Sequence, residues 1–142
     1  MAKPLSLEKI LFSQGFGTRR YCSDLVHADL VKVNGALAED PDERIAIENL
    51  ILNVEGVDWE FHEKAYIAFN KPPNYECSHK TTHHPSVYSL LPKPFVERGL
   101  QCVGRLDFDT TGLILISDDG QFIHRMTTPK KNIGKVYEIT TP

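Results

Sequence analysis

Asp107 and Asp109 are the residues of this chain whose types and spacing most invite chemistry. They stand either side of Phe108 in a segment rich in Gly and Thr, with Arg105 two positions before the first. A carboxylate so placed can move a proton, attack an electrophilic carbon or help hold a metal ion. Arg105 is near enough in sequence to orient or neutralise Asp107, or to bind a phosphate. Plainer roles fit the same residues. Aspartate bonds its own backbone readily and so serves as a turn or helix-capping residue. A metal pair would need a third ligand, and none is evident nearby, so no metal site is assigned.

The element that must position these carboxylates follows at once. Leu113, Ile114, Leu115 and Ile116 form an unbroken apolar run closed by the turn signal Asp118-Asp119-Gly120. That pattern predicts a strand buried on both faces. Polar chemistry on a loop held by a buried strand is a common way for a rigid scaffold to present reactive groups.

Gly104-Arg105-Leu106-Asp107, followed by Thr, Gly and an apolar strand, resembles the signature of the ribosomal RNA pseudouridine synthases. The resemblance implies that Asp107 is the essential catalytic residue. Asn70-Lys71-Pro72-Pro73-Asn74-Tyr75 resembles the segment that opens the same family's catalytic domain, with Asn74 where the family has Gly. Asn tolerates a positive φ next best, so the turn is expected to survive. Lys71 is expected either to approach RNA as a substrate-binding residue or to support the catalytic loop. Lys135-Val136-Tyr137 resembles the family's Lys-x-Tyr strand. It implies Tyr137 as the residue that packs on the target base and Lys135 as a substrate-binding neighbour, as Arg105 would be. The flanks Asp109-Thr110-Thr111-Gly112-Leu113 and His84-Pro85-Ser86-Val87 are most similar to the branch acting on small-subunit 16S rRNA.

Composition bounds the rest. A chain of 142 residues with 41% apolar and 25% charged residues is long enough for one ordinary or two small soluble domains. No apolar stretch is long enough to span a bilayer. Cys22, Cys77 and Cys102 are odd in number and widely spaced, which predicts free thiols and a cytoplasmic setting. The net charge of −3 argues against nucleic acid only if taken as an average. Residues 1–35 carry five basic against three acidic side chains, residues 36–63 one against nine, and residues 64–142 ten against seven. Two net-basic segments flank an acidic one.

Along the N-terminal third, Ser6 predicts a helix start with Leu7, Ile10 and Leu11 on its inner face. Gly15 and Gly17 end that helix, and Thr18 caps a second whose inner face holds Cys22, Leu25 and Val26. Leu30 to Val33 alternates as a strand, and Asn34-Gly35 is a strong hairpin signal. Arg19 and Arg20 fall in the second helix's first turn, where the dipole favours negative charge; the pair suits either anion capture or a solvated surface. Helix, Gly-x-Gly-Thr-Arg-Arg, helix, then Val-Lys-Val-Asn-Gly resembles the S4 RNA-binding module. The resemblance implies an RNA surface of Arg19, Arg20, Lys32 and Asn34. The acidic stretch Glu39 to Glu43 is expected to be a solvated face turned from RNA.

His79, His83 and His84 with Cys77 match no standard zinc spacing and are expected to form a surface loop able to reach substrate. Gln121 to Met126 predicts a short helix capped by Asp118 or Asp119. The expected architecture is therefore α+β: an S4 domain over residues 1–60, then part of a mixed or antiparallel-sheet synthase domain over residues 61–142. The family continues past the Lys-x-Tyr strand, so the chain is expected to be the N-terminal portion of a longer, monomeric synthase and inactive alone. No cofactor is expected. The partner is ribosomal RNA or a partly assembled subunit, and the alternatives are a non-catalytic S4-type binding protein or a synthase for large-subunit RNA.

Overall fold

Hydroxyl caps start the first two helices as the sequence predicts. In the computed structural model, which describes residues 3–128, Ser6 Oγ accepts the Lys9 N–H at 3.3 Å and opens α1 (Leu7–Ser13). Thr18 Oγ1 accepts the Tyr21 N–H at 3.1 Å and opens α2 (Arg19–His27). Each oxygen satisfies an amide that the first helical turn leaves without a partner. Leu7, Ile10 and Leu11 from α1 and Cys22, Leu25 and Val26 from α2 are buried against one another.

The strands that complete this first unit are β1 (Leu5–Ser6), β2 (Val31–Val33), β3 (Ala36–Leu37), β4 (Arg44–Ile45), β5 (Ile51–Val54) and β6 (Val57–Glu60). β1 pairs with β4, and the others form an antiparallel sheet in the order β3-β2-β5-β6. Val31, Leu52 and Val54 add the sheet's apolar face to the helical core. Val33 pairs with Ala36, so Asn34-Gly35 is a two-residue hairpin turn, with φ of +49° and +87°. Positive φ at both positions matches the right-handed twist of the flanking strands. Asp40, Asp42 and Glu43 are exposed, while the carbonyls of Pro41 and Glu43 accept the N–H groups of Glu8 and Leu7. The acidic stretch turns its charges to water and uses its backbone to cap α1.

The unit also takes in Tyr88–Leu100, which contains α3 (Lys93–Glu97). Periodicity assigned no element there. Arg98 ties it down, donating to Gln14 Oε1 at 3.1 Å and to the His62 carbonyl at 2.8 Å. Trp59 meets Phe16 and Phe95 edge to face, with centroids 5.5 and 5.8 Å apart.

Among the described residues, the second unit comprises residues 66–87 and 101–128. β7 (Tyr66–Lys71), β8 (Gln101–Val103) and β9 (Gly112–Ser117) form an antiparallel sheet in the order β7-β9-β8. α4 (Gly120–Thr127) follows, capped by Asp119 Oδ1, which accepts the N–H groups of Gln121 and Phe122. Asp119 is thus the residue, of the two candidates, that fills the cap.

The expectation of a strand buried on both faces needs correction. β9 is central in its sheet, yet only Ile114 and Ile116, with exposures of 4% and 0%, are buried among its apolar residues, and Leu113 is 67% exposed. Ile67 and Phe69 of β7 oppose Ile116 and Ile114 and share their face. An apolar run reports a strand but not how many of its faces are covered, because the residue types do not say what packs against each face.

Candidate active site

The loop Gly104–Thr111 joins β8 to its neighbour β9, so both carboxylates hang between two hydrogen-bonded strands. Gly104 and Gly112 bound it with φ of +82° and +131°, conformations that an L side chain rarely adopts. Inside the loop, the Thr110 N–H donates to the Asp107 carbonyl at 3.0 Å. Asp107-Phe108-Asp109-Thr110 is therefore a closed β-turn. Asp107, Asp109 and Arg105 are all exposed. Among the described residues no ion pair joins Arg105 to Asp107.

The turn is held from beneath by Lys71. Register places Lys71 opposite Gly112, where β7 ends and β9 begins. Its side chain lies on the buried face and is 1% exposed. The ammonium donates to the carbonyls of Thr110 at 2.7 Å, Phe108 at 2.9 Å and Pro72 at 3.0 Å. An ammonium carries three donors and no acceptor, so all its capacity is spent on backbone. Burying such a charge is costly unless it is bonded in this way. Of the two roles expected of Lys71, support of the loop fits this placement, and direct contact with substrate does not.

The Asn70–Tyr75 segment joins the same structure. Asn74 has φ of +69°, so the turn expected there forms with Asn in place of Gly. Its N–H donates to the Phe108 carbonyl at 2.6 Å, and the Tyr75 N–H reaches that oxygen at 3.3 Å. Phe108, which sequence reading passed over, is where the two motifs meet. The one available signal was the pairing of Asn-Lys-Pro with a downstream Asp loop.

The histidine loop lies close by. Glu76 Oε2 accepts the N–H groups of His84 at 2.9 Å and His83 at 3.3 Å. These bonds, His84's foremost, hold the Glu76 carboxyl below its ordinary range. The His84 ring stacks on Phe108 with centroids 4.2 Å apart. At the far end of the sheet the Tyr66 hydroxyl donates to Asp119 Oδ2, which pushes the phenol upward.

In the first unit, Arg19 and Arg20 are exposed on the first turn of α2, which holds no acidic residue. The Arg19 guanidinium lies 5.4 Å from the Phe12 ring centroid, a cation–π contact that steadies it. Lys32 is exposed on β2. Asn34 is tied back, its N–H donating to the Ile51 carbonyl at 2.8 Å and its Oδ1 accepting the Ile51 N–H at 2.9 Å. A groove of about 1100 Å³, lined by Phe16, Tyr21, Trp59 and Pro94 among others, also lies in this unit and was not foreseen. Lys135 and Tyr137 lie outside the described residues.

The turn thus holds two exposed carboxylates, Asp107 and Asp109, between two strands and is braced from beneath by a buried ammonium. The family model described as RNA pseudouridylate synthase matches residues 65–142, and the chain belongs to that family. Over 135 residues it is 34% identical to the ribosomal small subunit pseudouridine synthase A of Vibrio parahaemolyticus, covering 95% of this chain and 57% of that relative. The proteins of the same name from Pasteurella multocida and Escherichia coli are each 32% identical, covering 96% of this chain and 58% of theirs. The chain thus spans a little over half the length of these curated relatives. A solved pseudouridylate synthase is 33% identical over 89% of this chain and 54% of that one, with a TM-score of 0.44.

Proposed function

We infer that this chain carries the catalytic aspartate of an enzyme that isomerises a uridine in ribosomal RNA to pseudouridine, with small-subunit 16S rRNA the substrate. The observation that carries the reading is the exposed Asp107 on a turn braced through Lys71. Family membership and the names of the relatives support it.

In the reaction the N1–C1′ bond of the uridine breaks, the uracil turns, and a C5–C1′ bond forms. The C5 proton leaves to solvent and N1 gains one, so the balance needs no oxidant, reductant or group donor. Asp107 acts at the sugar or on a proton, as nucleophile or base. A base paired inside a helix is out of its reach, so the target is unpaired or flipped. Tyr137 stacks on the uracil. Arg105, without a carboxylate partner among the described residues, is available to a phosphate next to the target, and Lys135 shares the role of binding the substrate.

The first unit is an S4-type RNA-binding module in this reading. Arg19, Arg20 and Lys32 contact phosphates, and the Asn34-Gly35 turn shapes the surface instead of reading a base. In this reading the S4-type domain spans residues 1–60 and the synthase portion begins at residue 61, with Tyr88–Leu100 grouped with the first unit. The protein works as a cytoplasmic monomer on ribosomal RNA or a partly assembled subunit.

The test is tritium release from uridine labelled at C5 in 16S rRNA and in partly assembled small subunits, using the product of the complete reading frame. Release by the wild type that vanishes in Asp107→Asn and persists in chelator is expected. Salt-sensitive RNA binding with no release from any substrate would overturn the catalytic reading in favour of a binding protein.

A further inference from the structure

Phe108 stands between the two carboxylates and is gripped on both sides. Its carbonyl oxygen takes hydrogen bonds from Lys71 Nζ and from the Asn74 and Tyr75 amides. Phe108 is 42% exposed, so no core holds it. What faces its ring is the His84 imidazole, 4.2 Å away between centroids and only 19° from parallel.

His84 is itself on a fixed mount. Glu76 and Ser86 form an isolated parallel bridge, with the Glu76 N–H donating to the Pro85 carbonyl and the Val87 N–H to the Glu76 carbonyl, each at 2.9 Å. Ser86 Oγ donates to the Ser78 carbonyl at 2.6 Å, drawing the loop's two arms together. Glu76 Oε2 then binds the His83 and His84 amides and lies 3.8 Å from His84 Nδ1. The imidazole is a plate set at a fixed height against the Phe108 ring.

A β-turn anchored only through its carbonyls can still rock about the line of those anchors. The ring stack supplies the contact that stops it. We propose that His84, stacked on Phe108 and mounted on Glu76, is a positioning residue that fixes the tilt of the Asp107–Thr110 turn and so the direction of the Asp107 carboxylate. The inference rests on the reading of Asp107 as the catalytic residue. His84 acts through its flat face alone, with no proton passed through its nitrogens. Small displacements of a reacting group are expensive: about 1 Å of misplacement costs on the order of 100-fold in rate.

The test compares His84→Ala, His84→Phe, His84→Gln and Phe108→Ala in the product of the complete reading frame, by tritium release with kcat and KM determined separately. His84→Ala and Phe108→Ala are expected to lower kcat about 10- to 100-fold with little change in KM, and the double variant no further, since the two act as one contact. His84→Phe is expected to restore kcat, and His84→Gln is not. Unchanged kcat in His84→Ala, a loss confined to KM, or a His84→Phe as impaired as His84→Ala would each overturn the proposal; the last would assign the nitrogens a role of their own. A wild type without turnover would instead overturn the reading of Asp107. A second measurement stands apart from turnover: amide exchange at Thr110, whose N–H closes the turn, is expected to quicken in His84→Ala and not in His84→Phe. Equal protection in both variants would sink the proposal whatever the rates.

Discussion

The Lys71 ammonium lies 2.9 Å from the Phe108 carbonyl oxygen, across 37 residues of sequence, and this bond fastens the β7 motif to the aspartate turn. The same nitrogen binds Pro72 and Thr110, so its removal takes a donor from three carbonyls at once, of which Phe108 alone keeps the Asn74 and Tyr75 amides described above. Hydrogen bonds to charged groups each contribute about 1.5–3 kcal/mol, and a buried acceptor left unmet costs about as much. Lys71→Met keeps the apolar stem and removes only the donor. It is expected to lower stability by about 3 kcal/mol in denaturant titration and to abolish tritium release. Asp107→Asn, altered only at an exposed side chain, is expected to abolish release with an unchanged denaturation midpoint. Full activity in Lys71→Met would show that the turn holds its shape without the brace.

Gly15 offers a contrast in what a single methyl costs. Its φ is +90°, and a Cβ there would fall 2.0 Å from the Pro94 carbonyl oxygen, a backbone atom that cannot swing aside. Gly35 has φ of +87° and nothing within 4 Å of the same added atom. Gly35→Ala therefore meets backbone strain alone, about 1–2 kcal/mol. Gly15→Ala meets the strain and a displaced Tyr88–Leu100 segment, for about 3–4 kcal/mol in all. Equal denaturation midpoints for the two variants would mean that the segment yields without cost.

Much of this architecture was legible because local chemistry speaks in short patterns. Ser6 and Thr18 could be read as caps, and Asn34-Gly35 as a turn, since each depends on residues within a few positions. The loop carrying Asp107 was legible through its motif. What holds the loop was not, because a bond from Lys71 to Thr110 is decided by strand register, which a list of residues does not state. Tyr88–Leu100 escaped for a related reason. α3 has only five residues, with no buried face of its own, so no periodicity announces it. The second face of β9 was misjudged because apolar runs do not say what lies above them.

Cys22 predicts a pH dependence with a definite sign. Burial, with a smaller push from the Glu8 carboxylate, raises its thiol from 9.0 to about 11. The folded chain therefore favours the neutral thiol, and the unfolded chain ionises first. The resulting stabilisation is whole below pH 9.0 and is lost as pH climbs through about 11. Denaturation midpoints measured across that window are expected to fall more steeply in the wild type than in Cys22→Ala, whatever the latter loses by its cavity. Parallel slopes would place the alkaline loss elsewhere.

The last prediction concerns RNA and separates affinity from specificity. Arg19, Arg20 and Lys32 are exposed cations, and the first two share a helical turn whose dipole already attracts anions. A phosphate contact releases counterions, so binding weakens as salt rises, with a slope of about 0.7 in log–log terms for each contact on single-stranded RNA. Replacing all three by alanine is expected to reduce that slope by about 2 and to weaken binding to unrelated RNAs by the same factor. Asn34→Ala should behave differently, because its side chain is spent on Ile51: the hairpin loosens while the salt slope holds. An unchanged slope in the triple variant would move the phosphate-binding face away from α2 and β2. Loss of binding to 16S rRNA alone would mean that these residues read sequence, which cations contacting only phosphates cannot do.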